Sequence, residues 1–159
     1  AALGAKNGRL NGIEGYATYR AIVDDERADV DIGVRQRMLL GKTASAAEYL
    51  EALASRRASS DEFARWMRGR DVLLTPMLPI TATPVAEVDE TTFPLATWSR
   101  AVNYLGACGI SMPAGLSSSG LPIDIQYVAR GGDDARLCRI AAASHGGWSS
   151  GSGSLRPPA

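Results

Sequence analysis

The order of residues between Phe93 and Val128 leaves the backbone few choices. A helix-like segment from about Ala96 to Leu105 closes on the small residue Gly106. A short apolar strand, Gly109 to Met112, runs into Pro113-Ala114-Gly115, and the serine-rich turn Ser117 to Ser119 leads through Gly120 to a second strand from Leu121 to Val128. Glycine and proline punctuate the segment where a helix or strand must stop. The result is a helix followed by a strand-turn-strand unit.

The rest of the chain must be able to build a core around that unit. Its 159 residues, 45% of them hydrophobic, amount to about one domain. Seventeen basic and seventeen acidic residues cancel, so no long-range field draws in nucleic acid or an anionic membrane. No run approaches the roughly 20 apolar residues of a membrane span, and no signal peptide opens the chain. The expectation is a soluble, cytoplasmic protein. The chain begins Ala1-Ala2-Leu3 without an initiator methionine, which fits a processed product or a piece of a longer protein. Cys108 and Cys138 lack the CxxC spacing of a zinc or redox site and read as buried free thiols.

Asn11, three residues before Glu14, predicts a helix from about Gly12 to Asp24, weakened by Gly12 and Gly15. Asp24, Asp25, Glu26, Asp29 and Asp31 read as a solvated turn, since they lack the alternating spacing of a calcium loop. A second helix spans Val30 to Leu40 and stops at Gly41. Ser45-Ala46-Ala47-Glu48 is a capping box that opens a third helix, with Ala46, Tyr49, Leu50 and Leu53 on its apolar face. Ser59-Ser60-Asp61-Glu62 repeats the device and predicts a separate helix ending at Gly69. Arg56, Arg57, Arg65, Arg68 and Arg70 around Trp66 read as an exposed helix face rather than a nucleic-acid patch, given Asp61, Glu62 and Asp71 beside them.

Asp71-Val72-Leu73-Leu74-Thr75-Pro76 is an unbroken apolar run stopped by proline, the pattern of a strand covered on both faces, which implies a layered α/β core. Met77 to Leu95, punctuated by prolines, reads as a long surface loop exposing Glu87, Asp89 and Glu90. Gly131-Gly132-Asp133-Asp134 opens a last helix containing Leu137, Ile140 and Ala141; its paired aspartates would repel a phosphate, so the turn serves as a cap. Residues 1–145 form the domain, and 146–159 read as a low-complexity, flexible tail.

A self-sufficient catalytic set is not visible. His145, the only histidine, borders the tail, which disfavours a Ser-His-Asp site and a histidine metal site alike. Lys42 lies three residues from Ser45, a conceivable serine-lysine pair, but Ser45 already caps a helix. Ser117 to Ser119 read as a hairpin turn. No catalytic residue, metal or cofactor is expected within the chain.

Four separate motifs nevertheless occur in a telling order. Arg37 to Gly41 is followed by Ser45, Ala46 and Tyr49; then come Asp71 to Pro76; then Asn103, Gly106, Ile110, Ser111, Pro113 and Gly115; then Gly120-Leu121-Pro122 and Gln126. Together, over about Ile13 to Ala143, they resemble the C-terminal part of the amidase signature family of amide hydrolases. The resemblance implies an α/β/α fold with a mixed sheet flanked by helices, and hydrolysis of a carboxylic amide through a serine acyl-enzyme. The family's Ser-Ser-Lys triad belongs to a glycine- and serine-rich signature upstream of these motifs, and that signature is not in this sequence. Ser149 to Ser154 imitates only its composition.

Two departures stand out. Asp124 occupies a position where the family usually has glycine, and Ser144-His145-Gly146-Gly147 replaces the expected continuation of the terminal helix. Cys108, where the family often has proline or cysteine, reads as a packing residue near the site. By the same resemblance, Thr75, Pro76, Met77, Leu78, Ala96, Thr97 and Trp98 line a mostly apolar substrate pocket suited to an aryl or alkyl amide. The implied partners are a small-molecule amide and the N-terminal part of the same fold. A non-catalytic interaction subunit on the same scaffold is the alternative. If the sheet is cut, the strands around Val72 and Ile110 should present bare edges and apolar faces.

Overall fold

The structure, a computed structural model, describes residues 2–89 and 95–148. Its elements run α1 (Ala2–Val23), α2 (Ile32–Leu39), α3 (Ala46–Trp66), β1 (Leu73–Pro76), a single 3₁₀ turn (Val85–Glu87), α4 (Ser99–Leu105), β2 (Cys108–Leu116), β3 (Pro122–Ala129) and α5 (Asp134–Trp148). Helices and a small sheet make an α/β fold. The three strands are antiparallel in the order β1-β3-β2.

Strand alternation sorts the sheet into two faces. Cys108, Tyr127 and Ala129 point one way and form a buried cluster with Leu137 and Ala141 of α5, with Ile110, Met112, Ile125 and Ile140 packed around it. On the opposite face Val102 of α4 approaches Gly109. Behind α4 stand α1 and α3, whose buried core residues include Leu10 and Val23, with Met67 just beyond α3 and Tyr104 on α4. Arg56 of α3 caps α4: its Nε donates to the Tyr104 carbonyl at 3.0 Å. Gly106 ends α4 at φ 61°, a left-handed conformation that glycine adopts without a Cβ penalty.

Helix α1 begins about ten residues before the predicted Gly12. Gly4, Gly8 and Gly12 are spaced four apart and so share one face. A methyl group on Gly4 would meet Arg100 of α4, and one on Gly12 or Gly15 would meet α2 at the Arg37 carbonyl or Met38. Close packing against two helices offsets the helix-weakening of glycine on which the prediction leaned. A second correction concerns α3, which runs unbroken through Ser59-Ser60-Asp61-Glu62. The serines are accommodated within the helix, and Gly69 follows its end at φ 72°.

The capping box at the start of α3 is present in full. The Glu48 amide donates to Ser45 Oγ at 3.2 Å, and the Ser45 amide donates to Glu48 Oε2 at 2.8 Å. That backbone hydrogen bond, chiefly, holds the Glu48 carboxyl below its ordinary pKa. A depressed carboxylate contributes stability above its unfolded pKa and loses it as pH falls through the lower folded value. Ser45→Ala keeps that amide but removes the hydroxyl that accepts the Glu48 amide and donates to its carboxylate, and is expected to cost about 1 kcal/mol at pH 7. Urea unfolding at pH 7 and pH 3 checks this, and the penalty should be smaller at pH 3.

The strands differ from expectation in two ways. β1 is an edge strand whose residues alternate between half-buried and exposed, with Leu74 50% exposed, and it is not covered on both faces. Within the described residues it has a single neighbour, β3. β2 continues past Met112 to Leu116, with a register shift between Pro113 and Gly115. Proline is tolerated there because β2 lies at the other edge, and the bulge absorbs the extra residue. Ser117 to Gly120 close a hairpin in which the Leu121 amide donates to Ser117 Oγ at 3.1 Å.

Helix α5 continues through Ser144-His145-Gly146-Gly147 to Trp148, so the terminal helix does not stop at its glycines as the sequence suggested. Residues 146–148, read from the sequence as the start of the tail, are thus helical; the rest of that tail, 149–159, and Glu90 to Pro94 of the long loop lie outside the described residues. Cys138 is exposed, not buried; it stands one residue from Leu137, about 100° around the helix from the buried stripe. No helix among the described residues is long and apolar enough to cross a membrane.

Candidate functional site

The residues expected to line a pocket fall into two groups. Thr75 and Pro76 close β1, where register places Thr75 opposite Gln126 of β3 and Gln126 opposite Ser111 of β2. This sets a polar row across the sheet. The Thr75 hydroxyl donates to Oε1 of the buried Gln126 at 3.3 Å. The Met77 amide reaches the Asp124 carbonyl at 3.4 Å, extending the ladder by one rung. Pro76 and Leu78, with Pro79, Ile80 and Ile123, line a cavity of about 430 Å³ at this end of the sheet.

Ala96, Thr97 and Trp98 stand at the entrance to α4, where Trp98 is the N-cap residue and 40% exposed. Ala96 lines a different groove, of about 740 Å³, between α1, α2 and α4. Arg9, Arg37, Arg100, Asn7 and Asn103 also line it. Arg9 is partly occupied: it donates to the Leu40 carbonyl and, at 3.3 Å, to Glu48. Of the expected wall residues, Pro76 and Leu78 thus line one cavity and Ala96 another, while Thr75, Met77, Thr97 and Trp98 line neither. The meeting of three arginines was not foreseen, because they lie on three helices and no sequence spacing joins them.

Asp124 lies in the sheet beside an irregularity, since the register of β2 shifts between Pro113 and Gly115, opposite Asp124 and Ile123. It is a member of β3 opposite Pro113, and its Oδ2 accepts the Ser111 hydroxyl at 3.2 Å. Asp124 is also among the residues that border the cavity lined by Pro76 and Leu78.

Ser45 and Lys42 are turned to different partners. Ser45 is held by the capping box, while Lys42 Nζ donates to Asp24 Oδ1 at 2.8 Å. That hydrogen bond, chiefly, raises the Lys42 pKa, which keeps the ammonium protonated and removes it as a base. Asp24 also accepts the Tyr16 hydroxyl at 2.8 Å, and Lys42, then Tyr16, hold its carboxyl below the usual range. This tie between α1 and the start of α3 is present above the ordinary carboxylate pKa and is lost as pH falls through the lowered one. The Cys108 thiol donates to the Arg130 carbonyl at 3.2 Å and is pushed up in pKa, first by burial, which leaves it a poor nucleophile. No group of three potential metal ligands occurs among the described residues.

With these positions fixed, comparison with known proteins is informative. The chain matches the Amidase family over residues 15–138. It is 36% identical over 120 residues to a glutamyl-tRNA(Gln) amidotransferase subunit of Geotalea daltonii, covering 69% of this chain and 24% of that protein. With the protein of the same name from Corynebacterium jeikeium it is 32% identical over 159 residues, covering 92% of this chain and 31% of that protein. The chain thus spans about a quarter to a third of the length of these relatives. A crystal structure of an amidase superposes with a TM-score of 0.80 at 21% identity, covering 92% of this chain and 35% of that one, a likeness of fold. By the extent of its match, this chain belongs to the amidase family.

Proposed function

We propose that this chain is the C-terminal portion of an enzyme that cleaves a carboxylic amide to an acid and ammonia or an amine. A serine on the remaining part of the fold attacks the carbonyl, the amine leaves, and water releases the acid from the acyl-enzyme. This chain supplies sheet, core and pocket wall. The observation that carries the reading is the family match over residues 15–138. The share of the relatives' length that is covered supports placing the reacting serines and lysine elsewhere. Within the chain, Ser45 and Lys42 are each committed to other partners.

The relatives' names favour a second form of the same chemistry, in which freed ammonia passes to an activated acyl acceptor instead of to solvent. The two forms differ only after the carbon-nitrogen bond breaks. Assaying the joined protein for ammonia release with and without such an acceptor separates them.

The isolated chain should not hydrolyse an aryl amide even at high enzyme concentration, whereas the chain joined to the upstream part of its fold should. Turnover by the chain alone, removed by Lys42→Ala, would overturn the reading. In the joined enzyme, Trp98→Ala is expected to raise KM for an aryl amide about five- to tenfold with little change in kcat, as loss of uniform binding does. An unchanged KM would take Trp98 out of the wall.

Exposed apolar side chains bear on the same question. Tyr19, Ile22 and Ile32 near the α1-α2 junction, and Leu74, Leu116 and Ile123 on the sheet, are all at least 40% exposed. Surfaces of this kind are covered in a complete fold. The isolated chain should bind a hydrophobic dye in its native state, and joining the upstream part should abolish that signal. A clean monomer that ignores the dye would count against an incomplete fold.

A further inference from the structure

We infer that Gln126, on the central strand β3, is a docking contact for the upstream part of the fold, its side-chain amide donating to a main-chain carbonyl of that part. Gln126 is one of the motif residues that carry the family resemblance, and nothing in the proposed chemistry uses it. Its role is sought in the sheet.

The amide is located at both of its ends. Oε1 accepts the Thr75 hydroxyl at 3.3 Å on the β1 side, and Nε2 lies 3.3 Å from the point where a Cβ would stand on Gly109 of β2. The side chain therefore lies across the sheet face that α4 approaches, since Val102 Cγ1 of that helix is 3.4 Å from the same point. Gly109 leaves the room that the amide fills.

Hydrogen bonding satisfies one end alone. Gln126 is only 5% exposed, and among the described residues its side chain makes no hydrogen bond beyond the one from Thr75. No fully enclosed side-chain polar atom among them lacks a partner, so Nε2 keeps a narrow opening to solvent. Farther along the same face Ser111, Pro113 and Asp124 are exposed. Helix α4 meets the Gly109 end of this face and leaves the rest bare.

Whatever covers that bare region has to be polar. An apolar lid would strand both the Nε2 donor and the hydrogen-bonded pair of Ser111 and Asp124. A main-chain carbonyl meets the need, because every residue carries one and an irregular segment presents it without help from a side chain. The choice of occupant rests on the reading that the larger part of the fold lies outside this chain, which spans 24% and 31% of the relatives' lengths. That part has to pack against this sheet.

The test uses the joined protein, with nitrogen labelled in this chain and carbonyl carbon labelled in the upstream part. A magnetic coupling across the hydrogen bond should link Gln126 Nε2 to one upstream carbonyl, and the side-chain amide protons should exchange with water at least about tenfold more slowly than in the chain alone. Absence of that coupling overturns the inference, whether a substrate, a second copy or solvent holds the amide instead. Gln126→Glu keeps an acceptor for Thr75 and removes the donor. It should lower the urea midpoint of the joined protein more than that of the chain alone; an equal shift in both assigns Gln126 to this chain's own packing and also overturns the inference. Ammonia release from the same joined protein is read separately. Coupling without turnover keeps the docking contact and refutes amide cleavage, whereas turnover without coupling does the reverse.

Discussion

Gly41→Ala is expected to cost at least about 3 kcal/mol, the upper range for forcing a methyl group into a packed interior. An added Cβ would overlap the Gly12 carbonyl oxygen and lie 2.6 Å from its carbon and 2.7 Å from the Ile13 Cα. All three are backbone atoms of α1, so no rotamer change relieves the contact. Only a shift of α1 away from the α2-α3 connection does. That shift would also stretch the tie from Lys42 to Asp24 near the end of α1. Gly8 is the control, since a methyl there meets nothing within 4 Å. Gly8→Ala should stabilise α1 by about 0.5–1 kcal/mol through helix propensity. Urea unfolding followed by circular dichroism reads both variants, and a Gly41→Ala midpoint equal to that of the parent would refute the close approach.

The second large effect is predicted for Arg35→Ala, at about 2–4 kcal/mol, the scale of several hydrogen bonds made by one charged group. The Arg35 guanidinium donates to the carbonyls of Ile22, Val23, Asp25 and Ala28. These lie at the C-terminus of α1 and in the acidic turn that follows, where helix carbonyls lack intrahelical donors and the helix dipole is negative. A planar fork with five donors satisfies several of them at once. Arg35→Lys should recover only a minor part, because a single ammonium cannot span them. Amide hydrogen exchange locates the effect: Asp24 and Ala28, whose amides are hydrogen-bonded to the Arg20 and Asp25 carbonyls, should lose protection first. Full rescue by lysine would mean that charge, not geometry, is what matters there.

Much of the fold was legible because its signals are local. The Ser45-Glu48 capping box, the Gly106 stop and the serine turn between β2 and β3 each depend on residues within a few positions of one another. What escaped was decided at a distance. Gly12 and Gly15 made the start of the helix look weak, yet they and Gly4 are contact points for α2 and α4. Leu73 and Leu74 look buried on both sides in sequence, but burial depends on what lies beyond the edge of the sheet. For the site, motif order led to the correct family; of the seven wall residues named from it, Pro76 and Leu78 border one cavity and Ala96 another. It did not reveal that Arg9, Arg37 and Arg100 share a groove, nor that Asp124 borders the same cavity as Pro76 and Leu78. Both facts arise from tertiary placement alone.

The strand order β1-β3-β2 also sets a timetable for the chain as it is made. β2 and β3 form a hairpin and can pair as soon as both emerge, but β1 has only β3 as its neighbour among the described residues, with Leu73 opposite Val128. At roughly 5–20 residues per second, a gap of about 50 residues leaves β1 waiting several seconds for its partner during synthesis. Through that interval Leu73 and Leu74 lack the one strand that pairs with β1 among the described residues, and an unpaired edge is where chains join one another. The strand is four residues long and ends in Pro76, which has no amide hydrogen to offer a passing chain. Its brevity and its proline keep the waiting segment from recruiting the wrong partner before β3 arrives.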